Sequence, residues 1–334
     1  MKPLLMKTAL PGFGLLLLGL SAGANALDGQ ASLQWSDRAD SPATSRIVLP
    51  APIAMPAPMA MPELSAHSVL VYDQASGQPL LAKNADEQTP IASITKLMTA
   101  MLVIDAGQPL DEKLAITAAD RDTLKGTGSR LAIGSSYTRG QLLHLALIAS
   151  DNRAANALGR NYPGGLERFV ATMNRTAQAL GMNDTVYVEP TGLSSGNRST
   201  AFDLARLVDH AYQNYPEIRQ ISTAGHYSLG SQRVVVKKNH KRRVLHRPVA
   251  FNNTNRFTRA DDWQIGLSKT GFINEAGHCL VMQAQVANRD VIIVLLDAHG
   301  TRHRAGDATR IKAWLESGAT LTQDSPPATA ASRT

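Results

Sequence analysis

The hydrophobic period of this chain changes twice along its length, and that change restricts the fold more than any other feature. Residues 68–72 and 79–83 read as strands flanking Asp73-Gln74-Ala75-Ser76-Gly77, which predicts a hairpin with a glycine-containing turn. After Ser93 the spacing becomes helical through Ile104. Residues 138–150, 165–180 and 200–213 repeat that spacing, with turn residues at their ends. The period then shortens: 264–270, 279–287 and 291–296 read as strands, and 305–315 as a last helix. Strands first, helices in the middle, then strands and a helix predict an antiparallel sheet split by an inserted helical region.

The ends of the chain do not share this pattern. Lys2 and Lys7 form a positive start, residues 12–20 are a short apolar run, and Ala24-Asn25-Ala26 fits the small-x-small cleavage rule. A secretory signal peptide is therefore expected over residues 1–26, with the mature chain starting near Leu27. The apolar run is short for a membrane anchor. Pro50, Pro52, Pro56, Pro58 and Pro62 punctuate residues 27–64, as in an extended, disordered linker. The folded domain is expected over 65–317. The Ser/Thr/Ala/Pro-rich tail 318–334 has no apolar face and reads as disordered, not as a membrane anchor.

Cys279 is the only cysteine, so no intrachain disulfide can form and the fold must rest on its core. The net charge of +7 falls to +5 without Lys2 and Lys7. That suits an anionic polymer such as a cell wall, and equally an ordinary soluble protein. The densest basic run, 237–243, follows three valines. It fits contact with anionic groups, but a solvated hairpin whose charges protect a sheet edge is the preferred reading. Aromatics are few and no nucleic-acid-binding motif is present. His299 and His303 lack the acidic partners of a metal site, so no metal or other cofactor is expected.

Three short motifs carry chemistry: Ser93-Ile94-Thr95-Lys96 at a helix start, Ser150-Asp151-Asn152 at a helix end and Lys269-Thr270-Gly271 in a strand. Each recurs by chance, and taken singly Ser93 or Ser150-Asp151-Asn152 would be read as helix caps. Together, in this order and behind a signal peptide, they specify a serine acyl-transfer site. Positions i and i+3 share a helix face, so the Lys96 amine can reach the Ser93 hydroxyl. An ordinary lysine is protonated near neutrality, so Lys96 acts as general base only if burial and a second cation, Lys269, lower its pKa. Ser150 then relays a proton to the leaving amine and Asn152 holds the substrate backbone. Lys269 and Thr270 receive a substrate carboxylate, and Gly271 leaves room for a substrate along the strand. The backbone N–H groups of Ser93 and Phe272 are the expected oxyanion donors, each worth roughly 3 kcal/mol. Cys279, alone in an apolar strand, reads as a buried small residue.

The chain resembles the low-molecular-mass penicillin-binding proteins, and most closely their D-alanyl-D-alanine endopeptidase branch. Besides the three motifs, the resemblance rests on Pro90-Ile91-Ala92, Leu97-Met98-Thr99-Ala100, Asn152-Arg153-Ala154-Ala155 and Tyr162-Pro163-Gly164-Gly165. It continues through Glu189-Pro190-Thr191-Gly192-Leu193-Ser194, Phe272 and Ala276-Gly277-His278-Cys279-Leu280. It covers roughly 65–317 and implies an α+β fold of the DD-peptidase/β-lactamase type, a five-stranded antiparallel sheet packed with helices plus an all-helical region. It also implies a periplasmic enzyme of cell-wall remodelling that cleaves D-alanyl-meso-diaminopimelyl cross-links through an acyl-enzyme on Ser93, with β-lactam antibiotics as covalent inhibitors. Alternatives are a D-alanyl-D-alanine carboxypeptidase, a serine β-lactamase and a non-catalytic wall-binding protein. The E-x-x-L-N pattern of class A β-lactamases is absent around Glu189, and only 63 residues follow Gly271, too few for the C-terminal β domain and anchor of the anchored carboxypeptidases.

Overall fold

The computed structural model describes residues 61–318 apart from 239–240. The expected signal peptide, nearly all of the expected linker and the tail from residue 319 lie outside the described residues. Strands β1 (Ser68–Asp73) and β2 (Gln78–Lys83) form the first hairpin, which turns through Gly77 at φ +67°. Six helices follow: α1 (Lys96–Asp105), α2 (Arg139–Ile148), α3 (Asn152–Arg160), α4 (Gly165–Ala179), α5 (Ala201–Asn214) and α6 (Pro216–Thr223). A ribbon of β3 (His226–Lys238) and β4 (Lys241–Asn252) leads to β5 (Gln264–Ile273), β6 (Gly277–Val286), β7 (Arg289–Ala298) and α7 (Thr301–Glu316).

The sheet order is β2-β1-β7-β6-β5, antiparallel throughout. The first hairpin therefore joins the strands made last, pairing Leu70 with Val294, and the helices between them are the insertion. The strands are apolar at consecutive positions because both faces of the sheet are covered. Leu70, Val281, Ile292 and Val294 enter the core shared with helices α1–α6. Their neighbours Val69, Val71, Leu280, Met282, Ile293 and Leu295 enter a second core under α7. In α7, Ala305, Ala308, Ile311, Trp314 and Leu315 recur at helical spacing and form its buried stripe.

Two helices did not stand out in the sequence. The buried face of α3 is Ala154, Ala155, Ala157, Leu158 and Gly159, which is too small to give a strong apolar period, and α6 spans only eight residues behind Pro216. The helix predicted to carry Ser93 begins as a tight 3-10 turn, Ala92–Thr95, and becomes α-helical at Lys96. Ser150-Asp151-Asn152 joins α2 to α3 rather than only ending a helix, and the Asp151 carboxylate caps α3 by accepting from Ala154 N at 3.0 Å.

The start of the described chain is tied to the last helix by one carboxylate. Asp307 is fully buried and accepts from Ser65 N (3.0 Å), Ser65 Oγ (2.8 Å) and Ala66 N (2.8 Å), and it pairs with Arg310. Asp307→Ala strands those donors, so we expect a loss of about 2–3 kcal/mol. Urea unfolding measures it; an unchanged midpoint would show that these bonds do not hold the two ends together.

Candidate active site

The turn before α1 is strained. Ala92, with φ +47°, occupies the left-handed region that L-residues avoid, directly ahead of Ser93. Its carbonyl accepts from Thr95 Oγ1 (2.8 Å), and that hydroxyl accepts from Asn197 Nδ2 (3.0 Å). Asn197, wholly buried, also uses its backbone carbonyl to accept from Ile91 N at 3.1 Å. The 189–197 loop thus clamps the turn from outside. Within that loop Gly192 has φ +81°, and a Cβ there would lie 1.9 Å from the Ala92 carbonyl oxygen.

The three motifs converge on this turn. The buried Lys96 Nζ donates to Ser93 Oγ at 2.7 Å, to Asn152 Oδ1 at 2.8 Å and to the Thr191 carbonyl at 2.6 Å. Lys269, also buried, donates to Ser150 Oγ at 2.9 Å and to the Thr270 carbonyl at 2.8 Å. Ser150 is a second strained residue, at φ +56°. The Thr270 hydroxyl donates to Thr254 Oγ1 at 2.7 Å. A Cβ on Gly271 would stand 3.0 Å from the Ile91 carbonyl oxygen and 3.1 Å from Ser93 N, so the bare backbone of β5 lies against the serine turn. Phe272, 52% exposed, stacks on His278 with ring centroids 4.3 Å apart. The structure thus brings Ser93, Lys96, Ser150, Asn152, Lys269, Thr270 and Gly271 together, with Phe272 next along the strand and its ring turned onto His278.

Burial dominates the electrostatics. Loss of hydration pulls the Lys96 pKa down to about 8, against the opposite pull of the Glu189 and Asp151 carboxylates. Lys269 is driven well below its ordinary value by burial first, then by the positive charges of Lys96 and Arg304. The sequence suggested that burial and a charged Lys269 together lower Lys96. In the structure desolvation lowers both amines, and the nearby Glu189 and Asp151 carboxylates favour the charged form of Lys96. Burial pushes the Cys279 thiol up to about 11, which makes it a poor nucleophile.

The sequence reading missed the supports. Glu189 spends one carboxylate oxygen on Thr191 N (2.6 Å) and Thr191 Oγ1 (2.5 Å), and the other on Gly192 N (2.6 Å) and Asn197 Nδ2 (3.1 Å). Asn152 Nδ2, expected to meet substrate, donates to Thr127 Oγ1 at 2.9 Å. Thr127 belongs to a turn tied to Asp122 through Thr127 N at 2.8 Å. Gly192 within Glu189-Pro190-Thr191-Gly192 was the available signal; Asn197 had none. Asn152 separates two depressions, one lined by Asp122, Leu124, Thr191 and Leu193, the other by Ser129, Ser150 and Phe251.

Residues 55–300 match the family described as D-alanyl-D-alanine carboxypeptidase. A D-alanyl-D-alanine endopeptidase of Pseudomonas aeruginosa is 47% identical over 256 residues, 77% of this chain and 79% of that protein. One from Escherichia coli is 41% identical over the same shares. The solved structure of a penicillin-binding protein from Listeria monocytogenes, in a cefotaxime-bound form, has a TM-score of 0.64 at 28% identity, covering 76% of this chain and 98% of that one.

Gly192 tests the clamp. Gly192→Ala must displace the Ala92 carbonyl and with it Ser93, and a shift of about 1 Å costs on the order of 100-fold in rate. We expect the kcat for peptide hydrolysis to fall by that order while the variant stays folded. Wild-type turnover would remove the clamp from the site.

Proposed function

The chain belongs to the D-alanyl-D-alanine carboxypeptidase family of serine peptidases, and we propose that it is a periplasmic DD-endopeptidase that opens D-alanyl-meso-diaminopimelyl cross-links of peptidoglycan. The observation that carries this reading is a buried amine, lowered to about 8, 2.7 Å from the Ser93 hydroxyl. The similarity to two endopeptidases supports the choice of substrate. The start of the sequence, with Lys2, Lys7 and Ala24-Asn25-Ala26, supports export. Among the described residues no helix is long and apolar enough to cross a membrane.

In the proposed reaction, neutral Lys96 takes the Ser93 proton as Oγ attacks the D-alanyl carbonyl carbon. The backbone N–H groups of Ser93 and Phe272 receive the oxyanion. Collapse breaks the C–N bond, and the leaving amine takes its proton by way of Ser150. Water then attacks the Ser93 ester, returning the hydroxyl and releasing the acid. A substrate carboxylate arriving at Thr270 and Lys269 favours the charged form of Lys269, which burial alone opposes. Penicillins acylate Ser93 by the same attack, with the β-lactam C–N bond breaking.

A β-lactamase would need a carboxylate free to activate water. Both Glu189 oxygens are engaged by its own loop, which disfavours fast release of a β-lactam. A carboxypeptidase remains the second reading, since it is the activity in the family's description.

Digestion of purified cross-linked muropeptides separates the two. We expect dimers to become monomers; pentapeptide trimmed to tetrapeptide with dimers intact would make the enzyme a carboxypeptidase. Labelled penicillin should attach at Ser93 and be lost in Ser93→Ala, and a label mapped elsewhere refutes the nucleophile. The base must be neutral to act, so acylation should rise about tenfold per pH unit below about 8 and level off above it. Lys96→Arg should abolish acylation near neutrality, because a guanidinium does not deprotonate, whereas Lys269→Arg should retain part of it. Equal acylation by the two variants would reverse the roles.

A further inference from the structure

An ion pair bridges the two walls of the cleft. Lys125 and Glu275, both exposed, meet through the Lys125 ammonium and one Glu275 carboxylate oxygen. Each stands a short way along the chain from a residue of the site. Glu275 follows Phe272 into the turn between β5 and β6, which Ala276 N closes by donating to the Ile273 carbonyl at 3.1 Å. Lys125 precedes Thr127, whose hydroxyl accepts from Asn152 Nδ2. The Asp122 carboxylate fixes the backbone there by accepting from Leu124 N (2.8 Å), Lys125 N (2.9 Å) and Thr127 N (2.8 Å). The pair therefore joins the strand wall of the site to the Asn152 wall.

The chemistry proposed above gives the cleft a direction. The leaving group's carboxylate is received at Lys269 and Thr270 and the acyl oxygen at Phe272 N–H. The acyl-donor peptide then continues from Phe272 toward Ile273 and the turn. The two depressions beside Asn152 fit this direction. Ser150, bonded to Lys269, lines the one on the leaving-group side. Leu124, Thr191 and Leu193 line the other, and Leu124 is 63% exposed. An extended residue advances about 3.3 Å, so the residue before the D-alanine stands level with the end of β5, near Lys125 and Glu275. Its side chain meets the apolar Leu124 and, next to it, one cation and one anion. An exposed ion pair contributes little to stability, so this one can exchange partners. A side chain of methylenes with a zwitterionic end matches all three groups, its carboxylate on Lys125 and its ammonium on Glu275. Diaminopimelate has that form. A lysine side chain supplies only the ammonium.

We propose that Lys125 and Glu275 form a specificity subsite for the residue preceding the scissile D-alanine, exchanging their mutual ion pair for the carboxylate and ammonium of a meso-diaminopimelyl side chain in the acyl-donor stem. The inference rests on the peptidoglycan reading above and deepens it. That reading concerns the diaminopimelate that leaves; this one concerns the diaminopimelate that stays attached through Ser93. Neither Lys125 nor Glu275 takes part in making or breaking bonds.

The test is protection of Ser93 from labelled penicillin by stem pentapeptides that end in D-alanyl-D-alanine and differ only at the third residue, meso-diaminopimelate or L-lysine. Penicillin carries neither side chain, so labelling without peptide reports an intact site in each variant. In wild type the diaminopimelyl peptide should halve labelling at a concentration at least about tenfold below the lysyl peptide, as one further charge-assisted contact implies. Lys125→Gln should bring the two concentrations within about twofold of each other, because that contact is the one it removes. Glu275→Gln should weaken both peptides and keep the order between them, since both present the ammonium. A merely structural clasp would give the same pattern in both variants. If Lys125→Gln is not labelled, Lys125→Met takes its place. Equal protection of wild type by the two peptides overturns the proposal, as does a preference that survives in Lys125→Gln. Protection by neither peptide overturns it together with the peptidoglycan reading. Protection needs no turnover, so wild type that shows the expected pattern yet leaves cross-linked dimers intact would refute the endopeptidase reading and keep the subsite.

Discussion

Two ammonium groups buried in one domain are the constraint on which the rest of this structure depends. Taking a charge out of water costs several kcal/mol unless partners replace the lost hydration. Lys96 recovers part of that cost through Ser93, Asn152 and the Thr191 carbonyl, and through the fields of Glu189 and Asp151. Among the described residues Lys269 bonds the Ser150 hydroxyl and the Thr270 carbonyl, and it faces Lys96 and Arg304. The asymmetry leaves a site short of negative charge on the Lys269 side. In the proposed reaction a substrate carboxylate supplies what is missing there, so that binding and activation would be two results of one deficit.

The strained backbone serves the same end. Ala92 and Ser150 hold left-handed conformations that each cost of order 1–3 kcal/mol. Neither is maintained locally. Ala92 is held by the Thr95–Asn197 bonds and by the bare backbone of Gly192, while Ser150 sits between α2 and Asp151, whose carboxylate caps α3, and accepts a hydrogen bond from Lys269. The loop that supplies the clamp also supplies Glu189, whose carboxylate orders the loop and raises the Lys96 pKa. Disrupting the loop thus changes both where the serine points and how readily its base deprotonates.

These dependencies explain which parts were legible in the sequence. The five sheet strands were readable from consecutive apolar residues, and α2, α4 and α5 from their periods and caps. The candidate site's side chains were readable because Ser93/Lys96, Ser150/Asn152 and Lys269/Thr270 keep fixed short spacings along the chain. Helix α3 escaped because alanine and glycine bury a face without an apolar signal. Asn197 and Thr127 escaped because their roles come from partners about 100 and 25 residues away. The distribution of charge between the two lysines was also out of reach. Spacing showed that the amines can meet the hydroxyls, but both amines are equally buried, and the charges the assembled core sets beside each, Glu189 and Asp151 at Lys96 and Arg304 at Lys269, separate them.

The placement of β5 links the fold to the chemistry. It is the last strand in the order β2-β1-β7-β6-β5, so only one of its edges is committed to the sheet. An open edge usually invites unwanted pairing and is covered or blunted. Here the Ser93 turn lies against the strand at Gly271, where a side chain would hold it away. The contact shields part of the edge and brings the serine N–H beside the strand, where the proposed reaction aligns an extended peptide. Moved one place inward, the same strand would spend that edge on a neighbour, and the proposed substrate would have no backbone along which to align.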